Sequence, residues 1–141
     1  MGYSPDGCVY TPSHGPLFYL MSNVINVVPK VWGTEHWVVN TDKYCFKLLT
    51  INPGFQCSLH YHKKKDETFI VYEGEILLEQ RDPRGFPYEE LLEAGMQRHI
   101  EPKTPHRFQA RNTVAIVFEI STYHDDADVV RIEESKKISG D

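Results

Sequence analysis

Residues 54–74, GFQCSLHYHKKKDETFIVYEG, carry two histidines and a glutamate at a spacing that suits a metal site. His60 and His62 are two positions apart, so on an extended strand both imidazoles leave the same face. Glu67 opens a β-branched and aromatic run that Gly74 ends. If this run pairs back on the histidine strand as a hairpin, Glu67 returns to the level of the histidines. Two imidazoles and a carboxylate that converge in this way favour a divalent metal with open coordination positions.

The same stretch resembles the first sequence motif of the cupin superfamily, G-x5-H-x-H-x4-E-x6-G. The chain matches every fixed position of that motif, with Gly54, His60, His62, Glu67 and Gly74. In cupins the two histidines and the glutamate bind a divalent metal inside a small β-barrel. The resemblance therefore implies an all-β chain that forms one jelly-roll barrel around a metal.

A second cupin motif, G-x5-P-x-G-x2-H-x3-N, supplies a further histidine ligand in that superfamily. Gly95 and His106 keep its spacing, whereas Glu101, Lys103 and Ala110 replace its Pro, Gly and Asn. The ligand is kept and the residues that frame it are not, so we expect the preceding turn to differ in shape. The resemblance implies one divalent transition metal, with Zn, Mn, Fe, Co and Ni left open, bound by His60, His62, Glu67 and His106.

Residues 30–37, KVWGTEHW, resemble the K-P-W-G-x-E-x-W segment that precedes the barrel in type II mannose-6-phosphate isomerase-like cupins, with Val31 in place of Pro. Two tryptophans that close one end of a barrel are an alternative, and both interpretations can hold together. Residues 128–131, DVVR, are similar to the D-I-V-R ending of the same group. This likeness spans residues 30–135 and implies a metal-dependent sugar or sugar-phosphate isomerase or epimerase that acts through an enediolate.

Such a reaction needs a base for the proton next to the sugar carbonyl. Three nitrogen ligands and one carboxylate leave two adjacent positions on an octahedral ion, which suit the carbonyl and its neighbouring hydroxyl. Glu119 is the predicted base, because it shares a strand face with Ala115 and Val117 and burial there would raise its pKa. Lys47 is predicted to act as an acid or to hold an oxygen of the sugar.

Some further residues are predicted to bind the substrate, and others are predicted to lie outside the site. Arg131 and Lys103 would clamp a phosphate, and Tyr123 completes the predicted substrate site. Residues 63–65, three consecutive lysines, are expected to form a solvated turn. Cys57 lies three residues before His60, so its parity on a regular strand places it opposite the ligand face.

Two other functions suit the same motifs. Three histidines and a glutamate also suit a non-haem Fe(II) dioxygenase, with two open positions for oxygen and substrate. A barrel of this kind can also bind a sugar or another ligand without catalysis. Oxygen consumption separates the dioxygenase from an isomerase, and hydrogen exchange into a sugar separates the isomerase from a binding module.

Composition sets the remaining expectations. A chain of 141 residues predicts one domain, and a net charge of −5 argues against general nucleic-acid binding. Its apolar runs are too short to span a bilayer, and its first residues lack the pattern of a secretory signal. Three cysteines without a CxxC pair are a poor disulfide framework. We therefore predict a cytoplasmic protein that binds a small molecule and binds neither nucleic acid nor a membrane.

Many short β-rich runs separated by Gly and Pro turns predict the barrel that must position these residues. The predicted strands are residues 43–51, 74–80, 88–92, 96–101, 106–110 and 113–121. Residues 1–29 are predicted as an arm, with a helical turn or strand at 17–21 and an edge strand at 24–28. Residues 30–135 form the barrel, with a short helix or tail after Tyr123 and a tail at 136–141. The apolar part of the arm, 17–28, predicts a homodimer that covers a sheet edge.

Overall fold

A computed structural model describes residues 16–138 and shows that this part of the chain is built mostly from short β-strands. The elements are α1 (Pro16–Ser22), β1 (Asn26–Lys30), β2 (Gly33–Asn40), β3 (Cys45–Ile51), β4 (Phe55–Gln56), β5 (Leu59–His62), β6 (Glu67–Glu73), β7 (Glu75–Arg81), β8 (Pro87–Glu93), β9 (Gln97–Ile100), β10 (His106–Ala110), β11 (Ala115–Ser121), β12 (Val129–Glu133) and β13 (Lys136–Lys137). A 3₁₀ turn, Asp126–Asp128, precedes β12. No helix among these residues is long and apolar enough to cross a membrane.

The strands form two antiparallel sheets that face each other. The first sheet has the order β1-β2-β3-β11-β6-β9. The second sheet has the order β12-β5-β10-β4-β13, with β7 beside β10 and β8 beside β7. This two-sheet arrangement is the jelly-roll barrel, and it confirms the predicted all-β fold.

The barrel interior changes character along its strands. On β11, Ala115 and Val117 are buried and apolar, whereas Glu119 is buried and charged. On β3, Leu49 and Ile51 are apolar and Lys47 is charged, and all three are buried. Because inward side chains alternate along a strand, each strand contributes to an apolar core at one end of the barrel and to a polar cavity at the other. Each large apolar side chain in that core contributes about 1.5–3 kcal/mol.

One predicted hairpin is confirmed and another is wrong. Strands β7 and β8 pair around the turn at Asp82–Gly85, as expected from its Asp-Pro-Arg-Gly sequence. Strands β5 and β6 do not pair with each other, because β5 pairs with β10 and β12 while β6 pairs with β9 and β11. The link between them is a corner held by Asp128, whose carboxylate accepts hydrogen bonds from the Lys64 and Lys65 amides at 2.9 and 3.0 Å. The metal-site strands therefore face each other across the barrel.

The C-terminal part of the chain, which is predicted to be a short helix or a tail, instead contains two β-strands. Strand β12 pairs with β5, the strand that carries His60 and His62. Its Val129, Val130 and Ile132 are β-branched and suit a strand. Strand β13 lies within the predicted 136–141 tail and pairs with β4. The chain after residue 128 therefore completes the sheet that holds the histidines.

Of the two alternatives expected at residues 17–21, a helical turn or a strand, the N-terminal segment forms the helical turn, and an edge strand follows it. Residues 17–21 lie in the short helix α1, and β1 is an edge strand of the first sheet that includes Pro29. The first part of the predicted arm, residues 1–15, and the last residues of the predicted tail, 139–141, lie outside the described residues. The division of the chain into an arm, a barrel and a tail, with boundaries after residues 29 and 135, stays a prediction.

Candidate metal centre and active site

The four residues proposed as metal ligands lie together inside the barrel. His60 and His62 come from β5, and His106 begins β10 directly opposite His60. One ring nitrogen of each imidazole lies within 4.8 Å of the others. Glu67 begins β6 in the opposite sheet, and its Oε2 is 3.3 Å from His62 Nε2 and 3.5 Å from His106 Nε2.

The surrounding hydrogen bonds leave the inward atoms of this cluster available for a cation. His106 Nδ1 donates to the Thr104 carbonyl at 2.8 Å, and His60 Nδ1 lies 2.9 Å from the Ser58 carbonyl. Bonds of this kind fix the orientation of metal-binding imidazoles. His106 Nε2 and Glu67 Oε2 are buried without a hydrogen-bond partner, although buried polar atoms are normally paired. The residues present therefore fit a divalent cation.

Burial sets the protonation of the cluster. It lowers the pKa of His62 to about 2 and that of His106 to about 3, and it also lowers the pKa of His60. All three imidazoles are therefore neutral at pH 7, which is the form that binds a metal. Burial, reinforced by the charge of Glu119, raises the pKa of the Glu67 carboxyl to about 8. A bound cation would reverse this effect and favour the carboxylate.

A second cluster beside the histidines consists of charged groups. Lys65 Nζ donates to Glu119 Oε2 at 2.6 Å, and Lys47 Nζ lies 4.0 Å from the same oxygen. Lys47 also lies 3.5 Å from Glu35 Oε1, which in turn is part of the tryptophan-containing segment that precedes β3. All of these groups except Glu35 are fully buried, with Lys65 only 3% exposed. The cluster places two ammonium groups around one carboxylate.

These ion pairs overturn the expected pKa of Glu119. Burial alone would raise it, but the ammonium groups of Lys65 and Lys47 hold the pKa of Glu119 below its ordinary value. Burial would likewise lower the pKa of Lys65, but the Glu119 carboxylate holds it above its ordinary value. Both groups are therefore charged at neutral pH. The expectation of a raised Glu119 pKa is wrong, because it rested on burial and did not include the lysine that lies beside the carboxylate.

The outer end of the charged cluster is bounded by His124. Its Nδ1 lies 3.2 Å from Lys65 Nζ and its Nε2 lies 2.8 Å from the exposed carboxylate of Asp126. The Asn40 side chain bonds the backbone N–H and C=O of His124, at 2.9 and 3.1 Å. The ring also makes an edge contact with Trp37, with centroids 4.9 Å apart. These contacts fix His124 next to Lys65.

The two clusters line a single cavity of about 100 Å³. Its apolar wall includes Trp32 and Phe108, whose rings pack edge to face at 5.2 Å. Trp37 donates from Nε1 to Glu35 at 2.9 Å and lies under Lys47, whose Nζ is 4.1 Å from the ring centroid. The tryptophan-containing segment therefore both packs the barrel and orders the charged cluster.

The predicted substrate residues divide into two groups. Arg131 lies opposite His60 in the register of β12 and β5 and lines the cavity. Lys103 lines a separate surface groove and has a positive φ of 69°. Tyr123 is 49% exposed and is not among the lining residues. The structure therefore brings Arg131 to the metal cluster but does not bring Lys103 or Tyr123 there.

Two residues that were predicted to lie away from the site line the cavity. The prediction of a solvated turn at residues 63–65 is wrong for Lys65, because the corner held by Asp128 turns its side chain inward while Lys63 and Lys64 stay exposed. Cys57 was placed opposite the ligand face, but residues 57–58 interrupt the strand between β4 and β5, so alternation does not carry through. Burial raises the pKa of Cys57 to about 12. Three consecutive lysines, 63–65, stand between His62 and Glu67, and no sequence signal distinguishes Lys65 from the other two.

Comparison with known proteins gives a family and two kinds of relative. Residues 47–123 match the cupin domain family. A D-lyxose/D-mannose isomerase of Thermosediminibacter oceani is 37% identical over 110 residues, which cover 62% of this chain and 61% of that enzyme. The chain thus spans less than two thirds of the length of this curated relative.

Solved structures with a similar fold include two oxalate decarboxylases. The enzyme of Bacillus subtilis is 18% identical with a TM-score of 0.70, and the match covers 79% of this chain and 31% of that one. The enzyme of Lactobacillus farciminis, in a formate complex, is 18% identical with a TM-score of 0.69, covering 79% and 35%. At this identity the likeness concerns the fold alone.

Proposed function

The chain belongs to the cupin domain family, and from this premise we propose that it is a metal-dependent isomerase of an open-chain sugar. The single observation that carries the proposal is a buried, charged Glu119–Lys65 pair beside a cluster of three neutral histidines and a glutamate. The name of the T. oceani relative supports the substrate class. The isomerase activity, the metal and the sugar are all parts of this proposal.

We assign the metal-binding role to His60, His62, Glu67 and His106. A divalent cation held there would supply Lewis-acid polarisation of a carbonyl oxygen and a template for its neighbouring hydroxyl. The neutral state of the three imidazoles and the unpartnered Glu67 Oε2 support this assignment. The metal's identity among Zn, Mn, Fe, Co and Ni stays open to measurement.

Glu119 is the proposed base. Its carboxylate is ionised at neutral pH and would accept the proton from the carbon next to the carbonyl and return it to the former carbonyl carbon, while the hydroxyl proton of the first carbon passes to the former carbonyl oxygen. Lys65 and Lys47 would donate hydrogen bonds to the sugar oxygen on which negative charge develops. Lys65 has the shorter contact with Glu119, so it takes precedence over Lys47 as the acid.

An unphosphorylated sugar is the proposed substrate. Four Lys and Arg side chains line the cavity, and Lys30, Lys47 and Lys65 each have a carboxylate within 4.0 Å. A phosphate would have to compete with Glu35 and Glu119 for these cations, whereas sugar hydroxyls can share them. Arg131 is then proposed to hold a hydroxyl at the cavity wall, and the phosphate clamp with Lys103 is not part of the proposal.

The cellular setting stays a prediction. Cys45 and Cys57 are free, buried thiols, which supports a reducing compartment such as the cytoplasm. A small sugar is the proposed partner of the cavity.

A product assay tests the proposed function. The purified protein, loaded separately with Mn²⁺, Fe²⁺, Co²⁺, Zn²⁺ or Ni²⁺, is incubated with D-lyxose, D-mannose and mannose 6-phosphate, and ketose formation is followed by chromatography. We expect turnover of a free aldose with at least one metal and its loss in a His60→Ala/His62→Ala variant. Binding of these sugars without any product would favour a non-catalytic module instead, and oxygen consumption with Fe(II) would favour a dioxygenase.

A further inference from the structure

His124 lines the cavity next to the lysine proposed as the acid, and the proposed reaction leaves it without a role. Its Nδ1 is 3.2 Å from Lys65 Nζ, and its Nε2 is 2.8 Å from Asp126 Oδ1. Lys65 is buried, whereas the Asp126 carboxylate is exposed to solvent. The ring therefore connects a buried ammonium on one side to an exposed carboxylate on the other.

These two partners determine which ring nitrogen of His124 carries the proton. An ionised carboxylate only accepts hydrogen bonds, so Nε2 is the nitrogen that donates to Asp126. An ammonium only donates, so Nδ1 must offer its lone pair to Lys65. Burial, reinforced by the charges of Lys47 and Lys65, lowers the pKa of His124, so the ring is neutral at pH 7. His124 is therefore a neutral hydrogen-bond acceptor for the Lys65 ammonium.

The position of His124 is set by strand β2. The Asn40 side chain at the end of this strand accepts from the His124 N–H at 2.9 Å and donates to its carbonyl at 3.1 Å. Trp37 on the same strand makes an edge contact with the ring, with centroids 4.9 Å apart. The backbone of Lys65 is held separately, by the carboxylate of Asp128. Two different parts of the barrel thus bring the imidazole and the ammonium together.

The ammonium of Lys65 has three hydrogens, and two of them already have acceptors. One is donated to Glu119 Oε2 at 2.6 Å and another to His124 Nδ1 at 3.2 Å. Because the nitrogen is tetrahedral, these two hydrogen bonds also fix the direction of the third hydrogen. With the Glu119 contact alone, the ammonium could rotate about that hydrogen bond. The second acceptor therefore leaves one hydrogen in a defined orientation for a substrate in the cavity that Lys65 lines.

We propose that His124 is a positioning residue that holds the Lys65 ammonium so that its third hydrogen points at the sugar oxygen on which negative charge develops. The inference rests on the proposed isomerase function, in which Lys65 is the acid. Donors that are oriented in advance stabilise a developing charge because they need not reorient during the reaction. His124 acts through Lys65, so its loss should lower kcat rather than weaken sugar binding.

The neutrality of His124 matters as much as its position. A carboxylate in its place would also accept a hydrogen bond from Lys65. It would, however, put a second anion beside an ammonium that is already paired with Glu119. The ammonium would then stabilise less negative charge on a substrate, because its own charge would be more fully compensated. A neutral acceptor orients the ammonium without this competition.

Three substitutions of His124 separate orientation from charge and from packing. His124→Asn keeps a neutral acceptor near the Nδ1 position, His124→Asp matches it in shape but adds a negative charge, and His124→Leu keeps bulk without an acceptor. Kinetics use the metal-loaded protein and the free aldose that the wild type turns over. We expect kcat to fall by roughly 10–10²-fold in His124→Leu, with KM changing less than about twofold. His124→Asn should recover most of this loss, and His124→Asp should not.

A merely structural role for His124 predicts a different order of the variants. If the ring served only to pack against Trp37, His124→Leu would stay closer to the wild type than His124→Asn. That order would overturn the proposal, and so would a loss confined to KM or equal kcat values in His124→Asn and His124→Asp. Circular dichroism and elemental analysis show whether each variant keeps its β-structure and its metal.

Nitrogen NMR of the full chain, isotope-labelled in its histidine rings, tests the contact without any sugar. The His124 signals are those that disappear in His124→Asn. We expect a proton on Nε2 and a hydrogen-bonded lone pair on Nδ1, and Lys65→Met should shift the Nδ1 signal toward that of a free lone pair. A proton on Nδ1, or an Nδ1 signal that Lys65→Met leaves unchanged, would overturn the proposal. A wild type without turnover would contradict the proposed function, and the spectrum alone would then decide whether His124 holds Lys65.

Discussion

The two ends of the cavity experience the same burial and respond to it in opposite ways. At the histidine end, burial lowers the pKa values of His62 and His106, and the imidazoles stay neutral. At the lysine end, Glu119 and Lys65 are just as inaccessible, yet both stay charged because their ammonium and carboxylate groups are 2.6 Å apart. Burial alone therefore does not decide protonation, and the nearest partner does.

This difference gives each end a separate role in the proposed reaction. Neutral imidazoles are competent to bind a cation, and a charged carboxylate–ammonium pair is competent to move and stabilise charge on a substrate. Substitutions at one end should therefore change metal content, and substitutions at the other should change proton transfer with metal retained.

The largest effect is expected when the histidine end is removed. His60→Ala/His62→Ala should reduce bound metal to near zero and abolish sugar isomerisation. The barrel should persist, because its core includes apolar residues such as Ile51, Val71 and Ile76, which do not line the cavity that holds the ligands. Elemental analysis and circular dichroism measure the two properties. Metal retained at the wild-type level would show that the ligands are elsewhere.

The next effect is the loss of the carboxylate at the lysine end. Glu119→Gln keeps the shape but removes the base, so proton exchange should fall by roughly 10²–10⁴-fold. Metal content should stay normal, because Glu119 is not a proposed ligand. The measured quantity is the exchange rate per bound metal. A wild-type rate in this variant would move the base to another group.

A smaller and more diagnostic effect concerns the partner of Glu119. Because Lys65 and Lys47 hold the Glu119 pKa low, Glu119 loses its proton at a lower pH in the folded chain than in the unfolded chain. The ion pair therefore adds stability above the unfolded carboxyl pKa, and this stability is lost as pH falls through the folded pKa. Lys65→Met should raise the Glu119 pKa and move the acid limb of the pH–rate profile upward.

Lys47→Met is the matched control for that variant. Its ammonium is 4.0 Å from Glu119, compared with 2.6 Å for Lys65, so the acid limb should move less. Breaking the closer buried pair should also cost more stability, about 3–5 kcal/mol in Lys65→Met. Urea unfolding gives the second comparison. Equal shifts in the two variants would mean that the contact distance does not set the pKa.

The smallest effect is expected at the cavity wall. Arg131→Gln should lower kcat/KM about 10-fold, mainly through KM, since one charged hydrogen bond to substrate is worth about 1.5–3 kcal/mol. Lys103→Gln and Tyr123→Phe should change it less than twofold, because neither side chain lines the cavity. Steady-state kinetics on one sugar measure all three. A large defect in Lys103→Gln would restore it to the substrate site.

The sequence predicted the barrel and the histidine cluster because both depend on local patterns. The alternation of side chains along strands such as β11 does not depend on the order of the strands in the sheets. The same is true of the fixed spacing of His60, His62 and Glu67. The pairing of β5 with β6 was wrong, because a four-residue link can form either a hairpin turn or a corner between sheets. Only the long-range contact from Asp128 to the Lys64 and Lys65 amides decides between these two.

The charged end was predicted only in part for the same reason. Glu119 and Lys47 follow from strand parity, since each lies on the inward face of a regular strand. Lys65 follows a strand in an irregular link, where parity has no meaning, and its partner is far away in sequence. The pKa of Glu119 depends on that partner, so an expectation based on burial alone had the wrong sign.

Deuterium incorporation from D₂O tests the central claim most directly. The metal-loaded protein is incubated with D-lyxose or D-mannose, and proton NMR follows loss of the signal at the carbon next to the carbonyl. We expect exchange in the wild type, none after chelation of the metal, and at least 10²-fold less in metal-loaded Glu119→Gln. Exchange that persists in metal-loaded Glu119→Gln, or that is absent from the wild type with every metal and free aldose tested, would contradict it.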